Sequence, residues 1–588
     1  MKRSMLMVAG YILILCTSVF GQSGSQRTPL QTVRPIVERV MRETTFELQS
    51  VPLKPALDIQ VVDFGAVFAP ARDGIGFAFS IIQSEKDTVI SFGLSRDLPL
   101  AISINGTPVY SALESCAFVF HEIGYELFRF NDSIRVRLKK GKNPILVKGK
   151  LSAEHNVLYL RELTQPGTKP VTRFELEVGP AESGRAWTFT GVFPAGKSDA
   201  KVSTFPPETG YKSSYSYRGA EFTWRGNAQQ MVKELRIKPD AVYRRESYAE
   251  WQYPNGTVML SLLDFASAVQ DSSAGSFVRA YCAFTLDNLE LFRKQYEQLH
   301  AFRGTNHKLI RRGMLDDTGA PALPFVELFL KTHDQHLQGL VADIAKYVSK
   351  GQVRLEDGTL CRYEKFPGTV WADDLFMSAP YLMRMGVVTG DKQYFDDAAQ
   401  QVVNFNKYLV ETRTGLYRHG WYDAEKRQSP VAWGRANGWV IWATSEILEL
   451  LPTSHPLREK IVNIYRGHLK AVVAFQAPSG LWHQVLDRSD SFEETSCTAM
   501  FMIGMVRGIR MGVLDESYVP QLRKAWSGLQ TRIGGDGIVK DICRGTEMSD
   551  DLEYYFKRER FDNDPRGLGA VITACTEMMQ FENSKKTK

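Results

Sequence analysis

Cysteine is scarce in this chain. Seven cysteines are spread over 588 residues, each of them isolated in sequence. No pair has the Cys-x-x-Cys spacing of a zinc or redox site, and so few cysteines exclude a disulfide-stapled scaffold. We therefore expect the six that follow Cys16 to be free thiols: Cys116, Cys282, Cys361, Cys497, Cys543 and Cys575.

Dense positive charge and long hydrophobic runs are also missing. The formal net charge is +6, with 23% charged residues, and no Lys/Arg stripe that could follow a nucleic-acid backbone stands out. The sequence therefore predicts no nucleic-acid partner. Beyond the N-terminus, no stretch is apolar over the length that a membrane span requires.

The N-terminal segment has the pattern of a secretory signal peptide. Lys2 and Arg3 precede an apolar stretch that ends at Phe20, and Gly21 suits the residue before a cleavage site. We expect residues 1–21 to be removed and the protein to be exported, most simply to the periplasm, without membrane attachment. An uncleaved anchor is the alternative, although the stretch is short for a full span.

The chain is long enough for several domains, and the first of them reads as β structure. In the segment DTVISFGL and around Asn105-Gly106 in AISINGTPVY, β-prone residues flank turn signals. VRAYCAFTL, residues 278–286, looks similar. We predict that residues 22–300 form an all-β accessory region, a jelly roll or β-sandwich with room for two lobes.

The second part, residues 301–588, reads as helices. Between residues 395 and 409 the apolar positions step by three and four, and the segment from Trp439 to Leu451 is apolar nearly all round. A glycine, a short apolar pair, a loop and an apolar helix recur in the same order. Repeated helical hairpins of this kind stack or close into a ring, so we predict an (α/α)6 barrel. The recurring glycines are Gly358, Gly415, Gly480 and Gly537.

Two pairs of adjacent acids precede apolar helices. Asp373 and Asp374 lie in WADDLFM, and Asp316 and Asp317 lie in MLDDTGA. One member of such a pair often caps the helix N-terminus, and the other then faces the space in front of it. An acid beside apolar residues and a second carboxylate has a raised pKa, which suits a general acid near neutral pH.

The predicted loops all enter inner helices from the same end of the ring, so their side chains should converge on one funnel. A site with carboxylates, an arginine and aromatic side chains suits an acidic sugar, because aromatic rings stack on sugars and arginine grips carboxylates. The predicted funnel contains the two acid pairs and His419, Trp433, Arg435, Trp482, His483, Glu494, Ser496, Asp564 and Arg566.

An ordered series of segments then resembles a known family. WADDLFMSAPYL, GLYRHGWYD, VAWGRANGW, GLWHQVLD, ETSCTAMF and NDPRGLGA resemble the unsaturated rhamnogalacturonyl hydrolases, glycoside hydrolase family 105, which are similar to the unsaturated glucuronyl hydrolases. The resemblance covers about residues 305–582 and implies an (α/α)6 barrel without metal or organic cofactor. It also implies an acidic oligosaccharide substrate with a 4,5-unsaturated uronic acid at its non-reducing end.

The resemblance further implies a mechanism. An aspartic acid protonates carbon 4 of the vinyl ether, water adds at carbon 5, and the hemiketal opens and releases the neighbouring sugar. By motif position, Asp374 is expected to be the acid/base and Asp317 the partner carboxylate, although the choice between Asp373 and Asp374 rests on the motif alone. Asp373, His419, Trp433, Arg435, Trp482, His483, Ser496 and Tyr363 are expected to contact substrate.

One loop departs from the family pattern. Before the WADD segment many relatives carry a histidine and a lysine, whereas this chain reads LCRYEKFPGTV, with Arg362 and Tyr363. The sugar next to the uronic acid is therefore left open. Two other classes also stay open: a polysaccharide lyase built on a helical toroid, and a non-catalytic carbohydrate-binding protein of the cell envelope. The oligomeric state is not predicted.

Overall fold

The computed structural model describes residues 27–586 apart from short segments. Those segments are 55, 70–72, 118–120, 125–126, 154–155, 165–167, 176–185, 194–213, 218–219, 227–229 and 364–367. The predicted signal peptide, residues 1–21, lies outside the described residues and stays a prediction. No helix in the described part of the chain has the length and hydropathy that a membrane span requires.

Sixteen helices are present among the described residues. In chain order they are α1 (Pro29–Glu43), α2 (Phe64–Val67), α3 (Tyr253–Val269), α4 (Ser272–Asp287), α5 (Leu289–Glu297), α6 (His307–Arg311), α7 (Gly319–Thr332), α8 (Gln335–Lys346), α9 (Asp374–Thr389), α10 (Lys392–Leu409), α11 (Gly434–Leu450), α12 (Arg458–Val473), α13 (Thr495–Arg510), α14 (Val519–Gln530), α15 (Leu552–Phe556) and α16 (Pro565–Lys586).

Six of these helices contact one another in a closed ring. The order is α3, α7, α9, α11, α13 and α16, and α16 returns to contact α3. Their side chains are buried nearly all round, as in α11, where Trp439 and Trp442 stack with ring centroids 5.7 Å apart. Apolar residues on every face leave these helices stable only when surrounded by protein, which accounts for their inner position.

A second layer of helices packs outside the ring. Helices α4, α8, α10, α12 and α14 each follow an inner helix in sequence and contact it. In α10 the apolar residues predicted to share one face do so: Ala398, Val402, Phe405 and Leu409 are buried. Asp391 begins this helix by accepting a hydrogen bond from the backbone N–H of Gln393.

The sixth outer helix comes from the other end of the chain. Helix α1 packs against α16, and its Val33, Ile36, Val37 and Val40 belong to the same core as the inner helices. Residues 29–43 were predicted to open the β region, and this prediction is wrong. Sequence patterns are local, and they carry no sign that a helix completes a layer whose other members begin more than two hundred residues later.

The recurring glycines occupy equivalent turns. Gly358, Gly415, Gly480 and Gly537 all have positive φ, between 75° and 92°, a backbone conformation that favours glycine. Each of them lies in the loop that leads from an outer helix to the next inner helix. The predicted repeat is therefore a structural repeat, in which a glycine turn places each following loop at the same end of the ring.

The β region lies between α1 and α3 in sequence and includes the short helix α2. Its strands are β1 (Leu48–Pro52), β2 (Gln60–Asp63), β3 (Gly74–Ser84), β4 (Thr88–Arg96), β5 (Leu100–Ile104), β6 (Thr107–Ala112), β7 (His121–Gly124), β8 (Leu127–Arg129), β9 (Asp132–Leu138), β10 (Gly141–Leu151), β11 (Val157–Glu162), β12 (Thr172–Glu175), β13 (Thr188–Phe193), β14 (Ser214–Tyr217), β15 (Ala220–Thr223), β16 (Arg225–Gly226) and β17 (Met231–Leu235). In the described residues, the paired strands of this region are antiparallel to each other.

Two sheets share one apolar core in this region. The larger has the order β16-β13-β3-β10-β5-β6, with β12 also paired to β3, and the smaller has the order β2-β11-β4-β9. Ile82, Val147 and Phe189 of the first sheet pack in one cluster with Phe92 and Leu160 of the second, as in a β-sandwich. The hairpin predicted at Asn105-Gly106 joins β5 to β6.

The predicted boundary at residue 300 is wrong. VRAYCAFTL lies in α4, where Val278, Tyr281, Cys282 and Thr285 are buried at helical spacing. The polar residues between them imitate the alternation of a strand, and Asp271 caps this helix through the backbone N–H groups of two residues. The helical part therefore resumes at Tyr253, and α3 supplies one of the six inner helices.

Short strands complete the loops of the helical part. They are β18 (Thr369–Trp371), β19 (Gly420–Tyr422), β20 (Arg427–Gln428), β21 (Trp482–His483), β22 (Glu493–Glu494), β23 (Ile542–Cys543) and β24 (Arg560–Phe561).

At the opposite end of the ring, buried ion pairs join five inner helices. Glu446 of α11 accepts from Arg384 of α9 at 2.8 Å and from Arg507 of α13, and Arg507 also pairs with Glu577 of α16 at 2.6 Å. Arg384 reaches Glu327 of α7 at 2.7 Å. Each charge has at least one opposite partner, which offsets the desolvation that burial imposes.

Candidate active site

The N-terminal ends of all six inner helices contribute polar side chains to one region. Five inner helices are each followed by an outer helix that returns the chain toward the start of the next one. The beginning of α16 lies against the beginnings of α13 and α3, so all six begin at the same end of the ring. Free backbone N–H groups at helix N-termini make that end favourable for negative charge. The side chains concerned are Tyr253 at α3, Asp316 before α7, Asp373 and Asp374 at α9, Trp433 and Arg435 at α11, Ser496 at α13 and Arg566 at α16.

Arg362 is shared by two carboxylates. Its Nε donates to Asp374 Oδ2 at 2.7 Å, and its Nη2 donates to Asp374 Oδ1 and to Asp316 Oδ1, the latter at 2.9 Å. Trp371 covers the guanidinium, with Cζ 4.5 Å from the ring centroid. Asp374 has no exposed surface. This carboxylate is therefore enclosed by its arginine and cannot reach a sugar without a rearrangement.

Asp317 lies apart from this arrangement. Arg311 donates to its Oδ2 from Nε at 2.8 Å and from Nη2, and Asp317 is fully buried. The neighbouring Asp316 is the member of the pair that stands with Asp374. The predicted role of Asp317 as partner carboxylate therefore has little geometric support, because a bidentate arginine already saturates the oxygen that faces it.

Of the four acids in the two pairs, Asp373 is the one that has no arginine within ion-pair distance in the described part of the chain. Its Oδ2 lies 3.3 Å from His419 Nε2, and 13% of its side chain is exposed. Neither of these two atoms has a hydrogen bond of good geometry to any described residue. His419 is oriented from its other side, since its Nδ1 lies 2.7 Å from the Tyr555 hydroxyl. Trp433 contacts the same imidazole, with ring centroids 4.6 Å apart.

Burial perturbs the titration of this cluster. It raises the pKa of Asp374 to about 6. The positive charge of Arg362 lowers this pKa, and the negative charges of Asp316 and Asp373 raise it further. Burial also raises the pKa of Asp316, which Arg362 again opposes. Tyr253 has its pKa raised to about 12 by burial, and both Asp316 and Asp373 add to the rise. These three acids and the tyrosine therefore interact as one electrostatic unit.

Arg435 is committed to the protein backbone. Its Nη1 donates to the Cys543 carbonyl at 2.6 Å and its Nη2 to the Arg544 carbonyl at 2.7 Å, and the side chain is fully buried. Ser496 donates to Glu494 at 2.7 Å, and Glu494 caps α13. The arrangement holds the loop after β23 against the helix starts. The sequence predicts that Arg435 binds the substrate carboxylate in a bidentate manner. To do so, Arg435 would have to break its hydrogen bonds to these two carbonyls.

The remaining predicted contacts lie in different places. Trp482 is fully buried and points to the outer layer, where its Nε1 donates to the Val472 carbonyl of α12 at 2.8 Å; its predicted contact with substrate is wrong, because its position inside the wall excludes it. His483 lies 2.6 Å, through Nδ1, from the Ser491 carbonyl. Tyr363 is 37% exposed beside the undescribed segment 364–367.

Sequence reasoning missed two tyrosines of this site. Tyr253 lies in the part that was assigned to strands, although the following Pro254 suits the first turn of a helix. Tyr555 lies on the short helix α15 in DDLEYYF, where nothing in the pattern indicates that it reaches His419. Among the described residues, no three His, Cys, Asp or Glu side chains are placed to hold a metal ion; the predicted absence of a metal stays a prediction.

A family model decides the assignment. The model of Glycosyl Hydrolase Family 88 matches residues 227–582, more than half of the chain. The chain belongs to this family. The match begins before α3 and reaches into α16, so the matched region contains residues from all six inner helices and is not confined to the part after residue 300.

Individual relatives agree with this assignment. The unsaturated rhamnogalacturonyl hydrolase YesR of Bacillus subtilis is 30% identical over 247 residues, which are 41% of this chain and 70% of that protein. An unsaturated 3S-rhamnoglycuronyl hydrolase of Alteromonas is 27% identical over 326 residues, 54% of this chain and 75% of that protein. The family resemblance seen in the sequence is confirmed.

Solved structures share the fold. A glycoside hydrolase of family 105 from C. acetobutylicum superposes with a TM-score of 0.51 at 22% identity and covers 56% of this chain and 94% of its own. A possible family 105 member from Klebsiella pneumoniae also has a TM-score of 0.51, covering 59% and 87%. At this level of identity the likeness concerns the fold.

Proposed function

We propose that this glycoside hydrolase removes a 4,5-unsaturated uronic acid from the non-reducing end of oligosaccharides that polysaccharide lyases produce. Membership of the family and the names of the two relatives, both unsaturated uronyl hydrolases by name, support the reaction. They do not favour a lyase or a non-catalytic binder. The ring of inner helices then corresponds to the (α/α)6 barrel, with α1 as its sixth outer helix and the β-sandwich as an accessory region.

The proton donor is Asp373 in this proposal. It must carry a proton to carbon 4 of the vinyl ether, so it needs access to the funnel and freedom from a permanent cation. Of the two acid pairs, Asp374 and Asp317 are fully buried and each is gripped by an arginine through two nitrogens, and Asp316 shares Arg362. Asp373 is partly exposed, and His419 is the only basic side chain within ion-pair distance of it among the described residues. This observation carries the assignment.

The neighbours of Asp373 then have separate roles. Positive charge develops at carbon 5 after protonation, and the negative charge of Asp316 and Asp374, only partly balanced by Arg362, stabilises it. His419, fixed by Tyr555, orients the Asp373 carboxyl through Nε2. Trp433 and Tyr253, which lie at the starts of α11 and α3, provide the aromatic contact with the sugar. Water adds at carbon 5 and gives up a proton to the Asp373 carboxylate, and the hemiketal then opens to release the next sugar.

One assay tests the reaction. The protein is incubated with oligosaccharides from a lyase digest, and the ultraviolet absorbance of the conjugated double bond is followed. We expect the absorbance to fall as the unsaturated ring opens, with release of a sugar shortened by one residue. A rise in absorbance from intact polymer would instead identify a lyase, and binding without any change would identify a carbohydrate-binding protein.

Export remains a proposal as well. It rests on residues 1–21, and it predicts that the mature N-terminus, determined by sequencing protein from the cell envelope, lies after Gly21. Detection of the unprocessed chain in the cytoplasm alone would contradict it.

A further inference from the structure

An arginine-rich cavity lies at the same end of the ring as the aspartate cluster. It has a volume of about 450 Å³ and lies between the start of α16, the loop after β23 and helix α15. Its charged lining residues are four arginines and two glutamates, which leaves an excess of two positive charges: Arg245, Arg544, Arg558, Arg566, Glu246 and Glu547.

Two of these arginines have their charge balanced within the protein. Arg544 pairs with Glu559, and Arg566 pairs with Asp564 at 3.2 Å and with Glu246 at 3.5 Å. Their positions are therefore fixed by neighbouring carboxylates, and they contribute little free charge to the cavity.

The other two, Arg245 and Arg558, carry the remaining positive charge, which Glu547 of the same lining offsets in part. Neither has a carboxylate within ion-pair distance among the described residues. Each stacks on an aromatic ring of the cavity wall: Arg245 on Phe561 at 4.8 Å and Arg558 on Tyr554 at 4.7 Å. The Nη2 of Arg558 donates to the Gly545 carbonyl, and its buried Nε has no hydrogen-bond partner among the described residues. A stacked guanidinium keeps its edge available for an anion.

Contacts through intermediate residues connect the cavity with the surroundings of the proposed proton donor. Tyr554 is followed by Tyr555, whose hydroxyl fixes His419 beside Asp373. On another wall, the Arg544 carbonyl accepts a hydrogen bond from Arg435. Charges in the two places also act on a common group, because Arg566 lowers and Asp373 raises the pKa of Tyr253.

We propose that Arg245 and Arg558 bind a second anionic group of the substrate, carried by the sugar that leaves after cleavage of the unsaturated uronic acid. A sulfate ester or a carboxylate presents the oxygens that two guanidinium edges can share. The inference rests on the proposed function, since the leaving sugar is defined by that reaction. It narrows the substrate to oligosaccharides that carry two acidic groups.

Three disaccharides with the same unsaturated uronic acid test the proposal. Their second sugar is neutral, sulfated or itself a uronic acid, and kcat and KM are measured for the native protein and for Arg245→Gln and Arg558→Gln. We expect the native protein to prefer one or both acidic substrates, and each variant to raise KM for them at least tenfold while KM for the neutral substrate changes less than twofold. Arg523→Gln, a change of an exposed arginine on α14, is the matched control and should leave all three unchanged.

The outcomes separate the two proposals. A loss confined to the sulfated substrate identifies a sulfate as the bound group, and a loss confined to the uronate identifies a carboxylate. Equal losses for neutral and acidic substrates, or no preference in the native protein, would overturn the cavity's role while turnover of the neutral substrate leaves the proposed function standing. Absence of turnover with every substrate would overturn both. Arg558→Lys keeps the charge and should recover part of the affinity for the acidic substrates. No recovery, in a lysine variant whose melting temperature is native, would overturn the role of this charge.

Discussion

Removal of Arg362 should change the pH dependence of activity. In the native protein one guanidinium serves two buried carboxylates, with contacts of 2.7 Å to Asp374 and 2.9 Å to Asp316. The change Arg362→Gln leaves the carboxylates without their cation. Breaking a buried pair in this way costs about 3–5 kcal/mol, and one pKa unit corresponds to about 1.4 kcal/mol. The carboxyl groups avoid most of this cost by binding a proton.

The native pKa of Asp374 sets the direction in which the pH profile moves. Burial already raises the pKa of Asp374 to about 6, so at pH 7 the native carboxyl is mostly ionised. A further rise of roughly two units or more would leave it protonated at pH 7 and ionised only in alkaline solution. If the ionised pair holds the cluster in its working geometry, kcat/KM of the variant at pH 7 should fall by at least a factor of about ten and recover toward pH 9.

The assay is the pH profile of kcat/KM, measured from the loss of double-bond absorbance. We expect the acid limb near pH 6 in the native protein and about two units higher in Arg362→Gln. Arg413→Gln, at an arginine whose side chain is 79% exposed, is the control and should keep the native profile. A variant that is folded by circular dichroism and has the native acid limb would refute the electrostatic argument.

Three other predictions concern the support of the site. Glu446→Gln leaves Arg384 and Arg507 short of a buried partner and should lower the free energy of unfolding at pH 7 by about 3–5 kcal/mol, measured by urea denaturation. The pKa of Glu446 is lowered from 4.5 to about 2, so its contribution to stability is present above pH 4.5 and is lost as the pH falls through 2. The difference in unfolding free energy between the native protein and Glu446→Gln should therefore shrink by about 3 kcal/mol from pH 5 to pH 2. A difference that stays constant over this range would contradict the lowered pKa. Tyr555→Phe removes the partner of His419 Nδ1 and should lower kcat about tenfold or more with little change in melting temperature, whereas an unchanged kcat would show that this contact does not orient the histidine.

Local signals in the sequence were sufficient for much of the helical part. The face of α10, the buried character of α11 and the glycine turns were predicted because each depends on residues that are close in sequence. The same holds for the hairpin at Asn105-Gly106. The placement of the acid pairs at the starts of inner helices followed from the same repeat.

Contacts between distant parts of the chain could not be predicted in this way. Helix α1 belongs to the outer layer because it packs against α16, and the sequence of residues 29–43 does not indicate which helix it contacts. Successive residues on a helix point about 100° apart, so the choice between Asp373 and Asp374 depends on where Arg362 approaches. Tryptophan often stacks on sugars, yet the indole N–H of Trp482 donates a hydrogen bond to a backbone carbonyl of an outer helix.

The most direct test compares Asp373→Asn with Asp374→Asn on one unsaturated disaccharide. We predict that Asp373→Asn lowers kcat by about 10²–10⁴-fold with substrate affinity and melting temperature nearly unchanged. Asp374→Asn should mainly destabilise the protein, because Arg362 loses its bidentate partner, and its folded fraction should turn over faster than Asp373→Asn. Near-native kcat in Asp373→Asn, together with an inactive but stable Asp374→Asn, would contradict the account and return the proton donor to Asp374.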